Sequence, residues 1–191
     1  MTNFWFTADT HFGHANLVYK IKDRPFSSIE EMDETLISNW NSVVKPGDLV
    51  YHLGDFSWPD CSLYVDRLNG NIQLIKGNHD RQKDKDYDMF FNWVGDYKKI
   101  RIDGQKLILF HYPIRSWNAK HWGSWHLFGH THNSILPELG SCDVGVDCWD
   151  FFPVSYEQLM VYFDKQKEIL PNVILNPTPC NDFDCRCGDT R

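Results

Sequence analysis

Phe4-Trp5-Phe6-Thr7-Ala8-Asp9-Thr10-His11 is an apolar run that breaks onto two side chains able to bind a metal, and the same construction returns four more times along the chain. Leu49-Val50-Tyr51-His52-Leu53 leads to Gly54-Asp55, and Ile72-Gln73-Leu74-Ile75 leads to Gly77-Asn78-His79-Asp80. Leu107-Ile108-Leu109-Phe110 leads to His111, and Leu127-Phe128 leads to Gly129-His130-Thr131-His132. Apolar runs this short read as buried strands. Polar residues placed just beyond their carboxyl ends would converge at one edge of a sheet, where open α/β folds build their sites.

Working outward, helices separate several of these strands. Ser28 with Glu31 forms a capping-box pattern, after which Ile29, Met32, Leu36, Ile37 and Trp40 recur at helical spacing. This helix is expected to stop near Val44, ahead of Pro46-Gly47. A shorter helix is expected from Cys61 to Leu68, and a third, opened by Ser155 with Gln158, through about Phe163. Lys98 to Phe110 reads as two strands joined by Asp103-Gly104, a favoured hairpin turn. The start is thus β-α-β-α-β. From Lys165 onward apolar periodicity fades, so the expectation is one domain over residues 1–165 and a poorly ordered tail over 166–191.

The length of 191 residues fits one domain with a sizeable core, and 42% hydrophobic with 24% charged residues is ordinary for a soluble globular chain. A net charge of −7 argues against gripping long nucleic acid, which needs a basic face. A small phosphorylated substrate drawn in by bound cations stays compatible. No apolar run reaches membrane-spanning length and the N-terminus lacks a secretory pattern, so a cytoplasmic protein is expected, with its six cysteines reduced. Cys180, Cys185 and Cys187 fall in the tail, where Cys-x-Cys alone is a weak metal signal. Cys142 and Cys148 read as small apolar residues.

The metal-type residues form a coherent inventory: Asp9, His11, Asp55, Asn78, His111, His130 and His132. Two divalent ions close together need several borderline ligands and one anionic bridge, which a carboxylate supplies. Asp9-Thr10-His11, Gly54-Asp55, Gly77-Asn78-His79-Asp80, His111 and Gly129-His130-Thr131-His132 resemble, in order and residue type, the calcineurin-like metallophosphoesterases. The resemblance runs from about Phe4 to His132. Val144-Gly145-Val146-Asp147 and Pro153-Val154-Ser155 look like that family's closing strand and helix. Within the family, Asp-Thr-His-Phe-Gly-His-x-Asn followed by Arg-Pro-Phe resembles a bacterial and phage subgroup of small single-domain proteins.

That resemblance implies a four-layer α/β/β/α sandwich of mixed sheets. It also implies two divalent transition-metal ions, manganese first, with iron, zinc, cobalt or nickel as alternatives. One metal would take Asp9, His11 and His132, the other Asn78, His111 and His130, with Asp55 bridging both. A hydroxide held between the ions would attack phosphorus. His79 would face the leaving group, with Asp80 orienting its ring.

Other residues admit two readings. His52 alternates with apolar neighbours and reads as a hydrogen-bonded core histidine. His14 and Arg24 lie in a polar loop and are candidate substrate-phosphate contacts, although Arg24 also fits a solvated loop charge. Trp117, Trp122 and Trp125, between two ligand blocks, serve either packing or the stacking of a base. Asp147 reads as a support for a ligand or as a turn cap. The function expected is hydrolysis of a phosphodiester of small nucleotide type. The alternatives are a phosphomonoesterase and a non-catalytic metal-binding scaffold, though a scaffold has no chemical need to keep His79 and the full ligand set.

Overall fold

Alternation along the strands decides which core each side chain enters. In a computed structural model of the chain, which describes residues 2–21, 24–81 and 84–169, the first run is β1 (Phe4–Thr7). It pairs in parallel with β2 (Leu49–His52), which pairs in parallel with β3 (Asn71–Ile75). A short parallel strand β4 (Trp93–Gly95) and an antiparallel strand β9 (Val154–Ser155) close the two sides, giving the order β4-β3-β2-β1-β9. The second sheet runs β5 (Tyr97–Ile102), β6 (Gln105–Phe110), β7 (Trp125–Phe128), β8 (Ser141–Asp143). Its first pair is the antiparallel hairpin turning at Asp103-Gly104, where Asp103 takes the positive φ of 47° that the turn requires.

On one face of the first sheet, Val50, Ile72 and Leu74 pack against Met32, Leu36, Ile37 and Trp40 of α1 (Ile29–Val43). On the other, Phe6, Tyr51 and Ile75 meet Leu107, Leu109 and Leu127 of the second sheet. After the one-turn helix α3 (Asp84–Tyr87), helix α4 (Tyr156–Ile169) adds Leu159 and Phe163 to that second core. The mixed α/β architecture of two sheets and flanking helices expected from the sequence is what the chain adopts.

Both capping boxes form, in different ways. Ser155 is complete: its hydroxyl accepts from Gln158 N (3.2 Å) while Gln158 Oε1 accepts from Ser155 N (2.8 Å). Ser28 accepts from Glu31 N, but Glu31 reaches one residue further back, to Ser27 N (2.7 Å). Other boundaries differ from expectation. Helix α2 (Ser62–Val65) is a single turn, because 3₁₀-type bonds from Arg67 N to Tyr64 O and Leu68 N to Val65 O take over. Helix α4 continues to Ile169, past the expected end near Phe163. Its last turns carry no apolar period, yet Gln166 anchors them by accepting from Gly140 N (2.8 Å) and donating to Ser141 O (3.2 Å). Residues 170–191, with Cys180, Cys185 and Cys187, lie outside the described residues.

The closing strand falls earlier than expected, at Ser141–Asp143, and Val146–Cys148 is a 3₁₀ turn. Val144 N donates to Phe128 O (2.8 Å), Val146 N to Ala8 O (3.1 Å), and Ala8 pairs with Gly145. This segment ties the second sheet to the end of β1, so the carboxyl ends of β1, β2, β3, β6 and β7 meet at one place. Among the described residues no helix is long and apolar enough to cross a membrane.

Candidate metal centre

The loops at this shared edge are conformationally costly. Asp9, His11, Asp55, His130 and His132, five of the seven predicted ligands, have positive φ between 47° and 71°. L-residues avoid that region, and such outliers persist where the surroundings over-determine them. The surroundings here are backbone bonds between loops: Asp9 N to Gly54 O (2.9 Å), His11 N to Asp55 O (3.0 Å) and Gly129 N to His111 O (2.9 Å). Close approach also requires glycine. A Cβ on Gly129 would lie 2.5 Å from both Asp9 Oδ2 and Ala8 Cβ.

The structure brings all seven residues together. Potential ligand atoms of Asp9, His11 and His132 lie within 4.8 Å of one another, as do those of Asp55, His111 and His130. Asp55 Oδ2 is 3.5 Å from His11 Nε2 and 3.5 Å from His111 Nε2, so a single oxygen faces both groups. Asn78 Oδ1 lies 3.2 Å from His111 Nε2. His111 Nδ1 donates to Leu53 O (2.7 Å) and His132 Nδ1 to Asp147 Oδ2 (2.8 Å). These bonds fix the protons on Nδ1 and leave the Nε2 lone pairs facing the centre. His111 Nε2 therefore meets Asn78 Oδ1 and Asp55 Oδ2, acceptor against acceptor.

That arrangement fits a cation, and two further observations agree. Asp9 Oδ1 and His11 Nε2 are buried without a hydrogen-bond partner. Burial, then repulsion from Asp143 and Asp55, pushes the Asp9 carboxyl well above the usual carboxylate range. Burial also raises Asp55 and pulls His11 well below an ordinary imidazole. Packed carboxylates that resist ionisation beside imidazoles that resist protonation leave the site short of positive charge.

Around these residues the structure reassigns two roles and decides a third. Arg24, a candidate phosphate contact, is 3% exposed and forks onto both oxygens of Asp147 (2.8 and 2.9 Å). It also donates to Thr10 O (3.0 Å) and Asp9 O, so its donors are committed to the protein. Asp147 is held at about 2: burial opposes ionisation, but hydrogen bonds from His132 and Arg24 outweigh it. The support reading of Asp147 is therefore the one the geometry favours, and Arg24 positions it. Asp80, expected to orient His79, instead accepts from the backbone N–H of Asp55 (2.7 Å), Phe56 (3.0 Å) and Gly77 (2.7 Å). Its carboxylate locks the second and third ligand loops together, and His79 Nδ1 is buried without a partner.

His14 lies beside the centre, 3.3 Å from His11 through their Nδ1 atoms, with its ring stacked on Trp58 (4.3 Å, 14°). His52 is a core histidine: its Nδ1 accepts from Gly54 N (3.2 Å), so Nε2 donates to Thr10 Oγ1 (3.0 Å), which passes its own proton to Phe56 O (2.7 Å). Burial takes its pKa down to about 3. Trp117 and Trp125 are buried, the latter stacked on Phe163 (4.2 Å), whereas Trp122 is exposed beside His121. Asp143, which the sequence reading missed, accepts from Thr131 Oγ1 (2.6 Å) and Gly145 N (2.7 Å), pinning the residue between His130 and His132. Its only signal was adjacency to the Val144–Asp147 block.

An α/β fold that gathers two carboxylates, an amide and four imidazoles at one sheet edge defines a metallohydrolase-type centre. The calcineurin-like phosphoesterase superfamily domain matches residues 4–144, and the chain belongs to that superfamily, a family of phosphoesterases that use divalent metals. An uncharacterised protein of Methanocaldococcus jannaschii is 34% identical over 181 residues, covering 88% of this chain and 96% of the relative. The gene 66 protein of Mycobacterium phage L5 is 29% identical over 185 residues, covering 78% of this chain and 88% of that protein. A protein of unknown function from Aquifex aeolicus shares the fold, with a TM-score of 0.69 at 23% identity over 85% of this chain and 100% of that one.

Proposed function

We propose that the protein is a cytoplasmic dinuclear-metal phosphodiesterase acting on a small nucleotide-type substrate. The observation that carries this reading is Asp55 Oδ2, equidistant from one imidazole of each ligand group. Asp9, His11 and His132 would hold one ion, Asn78, His111 and His130 the other, and Asp55 both. Carboxylate, imidazole and amide donors suit manganese first, then iron, zinc, cobalt or nickel. The ions, when bound, would supply Lewis acidity toward the phosphoryl oxygens and lower the pKa of a nucleophilic water.

The chain's own residues do the rest. Asp147, braced by Arg24, and the Leu53 carbonyl hold the proton of His132 and His111 on Nδ1 and present Nε2 inward. Asp80 fixes the spacing between the Asp55 and Asn78 loops. His79 lines a cleft of about 300 Å³ beside the centre, where it can deliver a proton to the leaving oxygen. The net charge of −7 disfavours long polyanions and supports a small partner.

The deciding experiment strips the protein of metal, reloads manganese and compares mono- and diester model phosphates, with Asp55→Asn as control. Metal-dependent turnover favouring the diester and lost in the variant is expected. A preference for the monoester would replace phosphodiesterase with phosphomonoesterase, and bound metal without turnover would favour a scaffold.

A further inference from the structure

None of the three tryptophans between the His111 and His130 blocks has a ring against the His11–His14–His79 cluster, but a fourth does. Trp58 follows the Asp55 loop and is 52% exposed. It is not loose. Its backbone N–H donates to Phe12 O (2.9 Å), Phe12 pairs with Ser57, and one ring face lies flat on His14. His14 is in turn fixed against His11. The His79 ring centroid is 5.4 Å away, and both residues line the cleft of about 300 Å³, along with Asp60, Arg81 and Ser57. A rigid aromatic surface with one face supported, beside the expected leaving-group histidine, has the form of a stacking platform.

We propose that Trp58 is the specificity-determining residue of this site, taking the nucleobase of a nucleotide substrate on its indole while the phosphate lies at the metal centre. This rests on the phosphoesterase reading above and names the residue that selects its substrate. A nucleobase fits better than a bare aryl group because polar groups of Asp60, Arg81 and Ser57 stand around the platform, where base edges carry donors and acceptors. The placement beside His79 puts the base-bearing group on the leaving side of phosphorus.

The test is equilibrium binding of AMP, ribose 5-phosphate and phenyl phosphate to the manganese-loaded protein, by calorimetry. Trp58→Ala and Trp58→Phe are measured alongside. AMP is expected to bind roughly tenfold more tightly than ribose 5-phosphate, about 1.4 kcal/mol. That ratio should collapse toward one in Trp58→Ala and be largely kept in Trp58→Phe. Equal binding of AMP and ribose 5-phosphate by the native protein would overturn the proposal, as would an undiminished ratio in Trp58→Ala. Phenyl phosphate binding as tightly as AMP would overturn the assignment to a nucleobase. Binding of none of the three would overturn this inference, while metal-dependent diester turnover would show the phosphoesterase reading standing without it.

Discussion

The floor and the rim of the candidate centre are built differently. Asp9, His11, Asp55 and His111 are at most 2% exposed, whereas Asn78 and His130 are exposed and His132 is half-buried. Floor residues are held by the sheets, by inter-loop backbone bonds and by the Asp80 carboxylate. The rim depends on side-chain braces: Asp147 behind His132, and Asp143 behind Thr131. The difference teaches that burial sets where charge is needed, while the rim leaves an opening through which a substrate can arrive.

Breaking the floor should have the largest effect. Asp55→Asn keeps shape but removes the shared charge, and turnover is expected to fall on the order of 10³-fold or more, as when a preorganised charge-stabilising group is lost. Retained turnover, measured under saturating metal, would mean that Asp55 does not serve both groups.

Next is the brace between the two regions. Arg24→Met takes the cation from the buried Asp147 carboxylate and leaves it the His132 N–H, a change that costs about 3–5 kcal/mol. Denaturant unfolding of the metal-free variant should show that loss, and metal binding should weaken about 10–100-fold because His132 loses its orientation. Unchanged metal affinity would show that the rim holds itself.

A smaller effect is expected from pH. Burial pulls His126 down to about 4, against hydrogen bonds to the Ile108 and Tyr112 carbonyls that favour its proton. A base whose folded pKa lies below its unfolded value gives full stability above about pH 6.5 and loses it as pH falls toward 4, on the order of 3 kcal/mol for this shift. Replacing it with glutamine should flatten that part of the stability curve. An identical slope in native protein and His126→Gln would assign the acid sensitivity elsewhere, His52 being the next candidate.

The smallest effect should come from the rim itself. Asn78→Ala removes a neutral ligand, and metal affinity should fall by roughly tenfold, the low end for a supporting group. A loss matching Asp55→Asn would erase the distinction between floor and rim.

Much of this was legible in the sequence because β1, β2, β3, β6 and β7 announce themselves as apolar runs and each candidate ligand follows within a few residues. The helix starts were legible for the same reason, since caps are local. What was not legible depends on partners far along the chain. Arg24 looked like a phosphate contact because nothing near it shows that Asp147 will neutralise it. Asp80 looked like a partner for His79, since sequence cannot show that three backbone amides claim it first. Strand β4 has three partly buried residues, too few for a period, and α4 outruns its apolar stripe because Gln166 finds two backbone partners. Trp58 went unnoticed because an exposed aromatic looks like a buried one until its neighbours are placed.

The ion pair between Arg24 and Asp147 spans 123 positions, and that distance orders events in time. A chain growing from its N-terminus makes Asp9 and His11 early, with the guanidinium of Arg24 following them closely. Until Asp147 is made, that guanidinium lacks the carboxylate it forks onto in the finished fold. His132 and its Asp147 brace also arrive late, so the expected ion site is complete only once most of the fold has been made.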